Sequence, residues 1–241
     1  MKLKDKTVII TGSGSGLGEQ IAYRVANEGG KVVLVARTEK ELRKVKDKII
    51  KSKGAVEYFI CDIRDIDQIK KTVNKIINKF SKIDILINNA GIWTDEELEK
   101  IDPDRRREAF ETNSLGNINF TYEVLPYFKG RNKGYVFNII STAGASDTPS
   151  GNNIFWKTYG ATKWAMTGFT KALNDELKDT KIKVTSFHPG GFDSMLYEKA
   201  KRPNPHNQPW MMKTVDIAEI VLFILTRPDD VLIEKMIVSK K

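Results

Sequence analysis

The 241-residue sequence predicts an α/β fold: one domain built on a doubly wound parallel sheet of about seven strands with helices on both faces. Three observations predict it. Short apolar runs alternate with longer amphipathic segments along the whole chain, the rhythm that right-handed crossovers between parallel strands require. Runs such as Val32-Val33-Leu34-Val35-Ala36 are continuously apolar, as strands covered on both faces are. The first run, Val8-Ile9-Ile10, passes directly into a glycine-rich turn and then into an amphipathic segment.

That turn is Thr11-Gly12-Ser13-Gly14-Ser15-Gly16-Leu17-Gly18. Glycine supplies the positive φ of a sharp reversal and lets the backbone approach a ligand with no Cβ in the way. The helix that follows, predicted over 17–28, begins with unpaired N–H groups and a positive dipole end, where a phosphate can sit. After Gly29-Gly30 the second strand covers 32–36, and Thr38 with Glu41 reads as a capping box opening a lysine-rich helix to about Ser52. A third strand spans 55–61, Asp65 caps a helix to about Phe80, and a fourth strand covers 83–87. Asp102-Pro103 gives the cap and first-turn proline of a long helix reaching about Phe128. There follow a strand over 134–140, a helix over 156–178 and a strand over 183–187. Thr214 caps a helix ending near Arg227-Pro228, and the last strand is 231–238.

Forty basic residues against 31 acidic leave a net charge of +9, but the lysines are mixed with carboxylates on nearly every helix. Even Arg105-Arg106-Arg107 fits one turn of a surface helix, so the charge reads as solvated faces, and no clustered aromatic and basic motif points to nucleic acid. No apolar run approaches the roughly 18 residues of a membrane span, and the start lacks the apolar core of a signal peptide; the expectation is a cytoplasmic chain with no membrane partner. The single Cys61 excludes an internal disulfide, and with only His188 and His206 beside it no metal site is expected.

The glycine spacing is neither G-x-G-x-x-G, since the sixth position from Gly12 is Leu17, nor a P-loop, which would need Gly at 17 and Lys at 18. It is T-G-x-x-x-G-x-G. In dinucleotide folds the end of the second strand meets the adenosine ribose, where an acidic residue suits a free 2′-hydroxyl and an arginine suits a 2′-phosphate. Here that place is Ala36-Arg37, with no carboxylate before Glu39. NADP(H) is therefore expected ahead of NAD(H), which is left possible. Tyr159 and Lys163 stand four apart at the front of a predicted helix, so both side chains share one face. An ammonium beside a phenol favours the phenolate, which fits the pair for general acid-base work. The fifth strand ends at Ser141, whose hydroxyl is placed to polarise a carbonyl on the ligand side of the sheet. Asn113 lies within the preceding long helix.

Taken in order, the T-G-x-x-x-G-x-G turn, Asn88-Asn89-Ala90-Gly91, Ser141, Tyr159-x-x-x-Lys163 and His188-Pro189-Gly190-Gly191 resemble the short-chain dehydrogenase/reductase family over nearly the whole chain. The resemblance implies a Rossmann fold and hydride transfer between a nicotinamide cofactor and a small carbonyl or secondary alcohol. It implies that Tyr159 is the acid or base, that Lys163 holds the nicotinamide ribose and lowers the tyrosine pKa, that Ser141 orients the carbonyl and that Asn113 supports a water-linked proton relay. For the cofactor it implies contacts from Gly12, Ser13, Gly14, Ser15, Gly16, Leu17 and Gly18, from Arg37, from Asp62 and Ile63 near the adenine, from Asn89, Ala90 and Gly91, and from Pro189 and Gly190 at the nicotinamide amide.

Ser141 stands 159 − 141 = 18 residues before Tyr159, several more than the family usually shows, so an insertion lies over 145–155 and Ser146 is the second choice for the hydroxyl. The proline-containing stretch over 192–213 is expected to be a flap over the substrate. Trp93, Trp156 and Trp210 fall in loops around the nicotinamide end and suggest a bulky, largely apolar carbonyl; packing or oligomer contacts are the other reading. The family's two long helices often build a dimer or tetramer, for which Trp164 and Phe169 are apolar candidates. The alternative to a carbonyl reductase is a catalytically silent dinucleotide-binding sensor or regulator of the same fold.

Overall fold

The computed structural model describes residues 2–94, 102–145, 157–200 and 208–241. Seven strands, all parallel, stand in the order β3-β2-β1-β4-β5-β6-β7: β1 Thr7–Thr11, β2 Lys31–Ala36, β3 Val56–Ile60, β4 Ile85–Asn88, β5 Gly134–Ile139, β6 Ile182–Pro189 and β7 Lys235–Val238. The order reverses between β1 and β4, and it is beyond the carboxyl ends of these two strands that such a sheet opens a crevice. The expected doubly wound sheet is therefore the one observed.

Every residue of β1 is buried, and the period of two divides its side chains between two cores. Val8 and Ile10 join Val32, Leu34, Ile85 and Ile87 under α1 (Gly16–Asn27), α2 (Glu39–Lys51) and α8 (Thr214–Leu225). Ile9 joins Val33, Val35, Leu86 and Val136 under α3 (Ile66–Phe80), α5 (Gly116–Arg131) and α6 (Lys157–Leu177). Completing the helices are α4, Pro103–Phe110, and the four-residue α7, Leu196–Lys199. Asp65 and Asp102 cap α3 and α4 as expected, each carboxylate accepting two first-turn N–H groups.

Several local expectations need correction. The long helix from Asp102 is interrupted by a π turn at Glu111–Leu115. Asn117 Nδ2 donates to the carbonyls of Thr112 and Asn113 at 3.1 and 3.2 Å, which occupies acceptors of that turn. Thr38 precedes α2 but its side chain makes no cap bond, so Thr38 and Glu41 are not a capping box. Thr214 is the first residue of α8, not its cap, and its hydroxyl donates to the Asp193 carbonyl. The last strand begins at Lys235 because Val231 turns back on Pro228, and Val231 and Leu232 are exposed. Within the stretch over 192–213, Leu196–Lys199 form the short helix α7.

A buried polar network pins the centre of the sheet. Asn88 Nδ2 donates to Thr121 Oγ1 and Asn138 Oδ1, both at 2.8 Å, and Asn138 Nδ2 donates to Thr170 Oγ1 at 2.8 Å. Four elements, β4, β5, α5 and α6, are thereby fixed in one register where side chains must be satisfied internally.

Candidate active site

A cleft of about 680 Å³ opens at the carboxyl ends of β1, β4, β5 and β6. Its floor is the glycine turn. Gly12 and Gly16 have φ of +64° and +58°, a conformation that disfavours side chains, and at Gly12 a Cβ would also stand 2.8 Å from the Ala90 Cα. Asn89 fixes the turn to β4: its Nδ2 donates to the Thr11 carbonyl at 2.9 Å and the Gly12 carbonyl at 3.2 Å, while Thr11 Oγ1 accepts from the amides of Asn89 and Ala90. Gly12, Gly14, Ser15, Gly16 and Leu17 wall the cleft where α1 begins, a cradle whose open N–H groups suit a dinucleotide phosphate.

Two residues of the same turn stand behind that wall. Ser13 is fully buried, and its Oγ accepts from the Val35 amide at 2.9 Å, stapling the turn to β2. Gly18 packs α1 onto the turn: a Cβ there would meet the Gly12 carbonyl at 2.5 Å and Asn89 Nδ2 at 2.6 Å. Both shape the cradle without facing the cleft.

Arg37, Asp62, Ile63, Ala90, Gly91, Pro189 and Gly190 all wall the cleft, together with Asn89. Arg37 is not remote from carboxylates in space. Its Nη1 lies 3.9 Å from Asp62 Oδ2 and 3.8 Å from Glu108 Oε1, and those acids are also paired with Arg64 and Arg105. Hydrogen bonds from Arg64 outweigh the opposing effect of burial and hold the Asp62 carboxyl below its usual range. Linear sequence could not reveal Glu108, which comes from α4 some seventy positions later.

At the other end Tyr159 and Lys163 meet as the spacing requires. Tyr159 and Lys163 are 7% and 5% exposed, and Lys163 Nζ lies 5.5 Å from the centre of the Tyr159 ring. Burial pushes the Lys163 ammonium down to about 8. Its neighbours are the Ile139 carbonyl, at 3.5 Å, and Gly91, where a Cβ would lie 3.7 Å from Nζ. Trp93 packs on the other partner, its ring 4.7 Å from that of Tyr159.

Ser141 enters the same cleft from the end of β5. Its Oγ accepts from the Ala143 amide at 3.1 Å, which leaves the hydroxyl proton to donate. The fully buried His188 holds it from behind: Nδ1 stands 3.0 Å from the Ser141 carbonyl, which can only accept, so the imidazole carries its proton there, and burial lowers its pKa. The turn after Ser141 lies directly on α6, since a Cβ on Gly144 would be 2.7 Å from the Lys163 carbonyl. Ser146 and Trp156 fall outside the described residues.

Asn113 does not reach the cleft wall. Its Oδ1 accepts from the Ile92 amide at 2.7 Å, and Nδ2 donates to the Ile92 carbonyl at 3.0 Å and to Thr162 Oγ1 at 3.2 Å. This side chain is a clamp between the β4 loop and α6. Trp210 walls the cleft, half exposed, above Gly191, where a Cβ would strike its ring at 2.3 Å. Sequence reading missed Glu41, Arg105, Glu108, Met195 and Lys199 as wall residues, for nothing local to any of them signals a place at the cleft. Trp164 is 46% exposed on α6, whereas Phe169 is partly buried against the sheet and the Tyr122 ring. Among the described residues no helix is long and apolar enough to cross a membrane.

Known proteins resemble this chain over nearly its whole length. A family model described as short chain dehydrogenase matches residues 6–205. An uncharacterized oxidoreductase of Staphylococcus saprophyticus is 32% identical over 99% of this chain and 98% of its own length. An NADP-dependent 3-hydroxy acid dehydrogenase of Schizosaccharomyces pombe is 32% identical, covering 98% of this chain and 93% of that protein. The structure of an alcohol dehydrogenase from the archaeon Thermococcus sibiricus, complexed with 5-hydroxy-NADP, superposes with a TM-score of 0.86 at 26% identity, over 97% of this chain and 96% of that one.

Proposed function

The chain belongs to the short-chain dehydrogenase/reductase family of oxidoreductases, and from that premise we propose that it is an NADP(H)-dependent carbonyl reductase acting on a bulky, largely apolar ketone or aldehyde. The observation that carries this reading is the buried phenol–ammonium pair, roofed by an indole, at one end of a cleft whose other end is a phosphate cradle with an arginine beside it. A bound dinucleotide supplies the hydride. The protein's part is to hold the carbonyl oxygen between the Ser141 and Tyr159 hydroxyls, so that Tyr159 delivers a proton as charge builds on oxygen.

Lys163 keeps a positive charge beside that phenol and donates to the cofactor ribose. Asn113 supports the relay through the backbone of the π turn, since its side chain is occupied at Ile92. Gly12, Gly14, Ser15, Gly16 and Leu17 receive the pyrophosphate, with Ser13 and Gly18 holding them in shape. Asp62 and Ile63 flank the adenine, Asn89, Ala90 and Gly91 line the middle, and Pro189 and Gly190 meet the nicotinamide amide. The whole chain acts as one catalytic domain, with 192–213 as the substrate flap and a dimer or tetramer built on the two long helices around Trp164.

NADP is supported by Arg37 and by the NADP-linked relatives. Arg37→Ala is expected to weaken NADP binding at least about fivefold, the scale of one lost charge-assisted bond, and to leave NAD nearly unchanged. Asp62 and Glu108 retain Arg64 and Arg105 as partners in that variant, so the loss reports on the 2′-phosphate. Fluorescence titration of both cofactors checks it, and equal weakening of the two refutes the assignment.

Trp93, which meets the Tyr159 ring, and Trp210, which covers Gly191, give the carbonyl end its apolar wall. Steady-state consumption of NADPH across aliphatic, aromatic and charged ketones should favour the bulky apolar members. A strong preference for a small charged substrate, such as a 3-oxo acid, would overturn that class. A silent sensor would bind NADPH and consume none with any of them.

A further inference from the structure

Beyond β6 the chain crosses directly over the glycine turn. Its base is anchored by Phe192 bridging to Met212, with the Asp193 amide donating to the Met212 carbonyl at 3.0 Å and the Met212 amide to the Gly191 carbonyl at 3.0 Å. From there Met195 lies over Gly16, 3.8–3.9 Å from where a Cβ would stand. One turn of α7 later, Lys199 Nζ is 3.2 Å from Glu41 Oε2. Glu41 in turn rests on Gly14: its Cβ and Oε2 each lie 2.9 Å from the position of a Cβ there. Both charged side chains wall the cleft, yet neither belongs to a motif.

Resting on the dinucleotide reading above, we propose that Lys199 is a cofactor-phosphate ligand carried by the flap, which Glu41 holds in waiting over the glycine turn in the free protein. A carboxylate beside a phosphate site repels the ligand the site is built for. Glu41 is tolerable there because its charge is neutralised, and the only motion needed to turn a neutral latch into an anion clamp is transfer of the Lys199 ammonium from carboxylate to phosphate. A phosphate dianion competes well for that ammonium. The transfer keeps α7 pinned over the bound cofactor, one ion pair over the glycine turn taking the place of another. The same ammonium can serve either the 2′-phosphate, close to Arg37 and Thr38, or the pyrophosphate at the start of α1.

Removing Lys199 therefore does two kinds of harm: it deletes a phosphate contact and leaves Glu41 unpaired beside an anion. The dissociation constants of NADPH and NADH, measured by nicotinamide fluorescence at low salt, separate the possibilities. Lys199→Gln should raise the NADPH constant about tenfold, on the scale of a lost charge-assisted bond plus a like-charge contact. An unchanged NADH constant assigns the 2′-phosphate, and a parallel rise assigns the pyrophosphate. Glu41→Gln should tighten NADPH about threefold by removing competitor and repulsion together. In the Glu41→Gln background, Lys199→Gln should cost distinctly less than in the wild type. If Lys199→Gln moves both constants less than twofold, the latch is merely a surface ion pair and the proposal fails. Ketone turnover by the wild-type protein keeps the enzyme reading intact in that event, whereas failure of the wild-type protein to bind either cofactor removes the premise itself.

Discussion

Tyr159→Phe is expected to lower kcat for ketone reduction by roughly 10²–10⁴-fold, the range a positioned proton donor contributes, while NADPH binding changes less than about twofold. The substitution deletes one oxygen. The ring that meets Trp93 at 4.7 Å stays, the buried volume is preserved, and Lys163 keeps an aromatic face 5.5 Å from its ammonium. A loss confined to kcat and kcat/KM alike identifies an interaction made only in the transition state. If the variant instead lost cofactor affinity or melted several degrees lower, the phenol would be a packing element and its hydroxyl incidental.

Lys163→Met should show two opposite effects. Turnover should fall by a factor similar to that of the tyrosine variant, because the charge that favours the phenolate is gone. Stability of the cofactor-free protein at pH 7 should rise. Burial lowers the Lys163 pKa from 10.5 in the unfolded chain to about 8 in the fold. Below pH 8 both states carry the proton, and the folded state bears the whole cost of burying it, about 3 kcal/mol for a shift of this size. Between about pH 8 and 10.5 the unfolded chain binds more protons than the folded one, so wild-type stability climbs with pH through that window. The methionine variant, with a side chain of similar length and no charge, escapes the cost; its advantage should be several degrees in Tm at pH 7 and should vanish above about pH 10.5. A lower Tm at pH 7 would mean that the ammonium is fully compensated. In the wild type, kcat/KM for NADPH, which reports the cofactor-free enzyme, should decline above about pH 8 as Lys163 loses its proton.

The parts of this molecule that could be read from the chain alone are those governed by near neighbours. Continuous apolar runs located the strands, and caps at Asp65 and Asp102 located two helix starts, because each signal is complete within a few residues. The spacing of four between Tyr159 and Lys163 gave their common face for the same reason. What escaped depends on elements that meet only in three dimensions. Arg37 looked free of carboxylates along the chain, yet Asp62 and Glu108 reach it from the turn after β3 and from α4. Glu41 read as half of a capping box, but its carboxylate turns to Lys199, 158 positions on. Asn88 shares its motif with cleft residues but bonds two side chains in the interior, partners that come from α5 and β5. Ser13, Gly18 and Asn113 share motifs with cleft residues while acting behind the wall, a distinction of about one side-chain length that a motif cannot express.

Isotope transfer tests the central claim most directly. With NADPH carrying deuterium at both C4 positions and an aromatic ketone, the wild-type protein should place one deuterium on the carbinol carbon for each NADPH consumed, and Tyr159→Phe should place almost none in the same time. Consumption of NADPH without deuterium at that carbon, or equal labelling by the two proteins, would contradict a carbonyl held at the Tyr159 hydroxyl beside the cofactor.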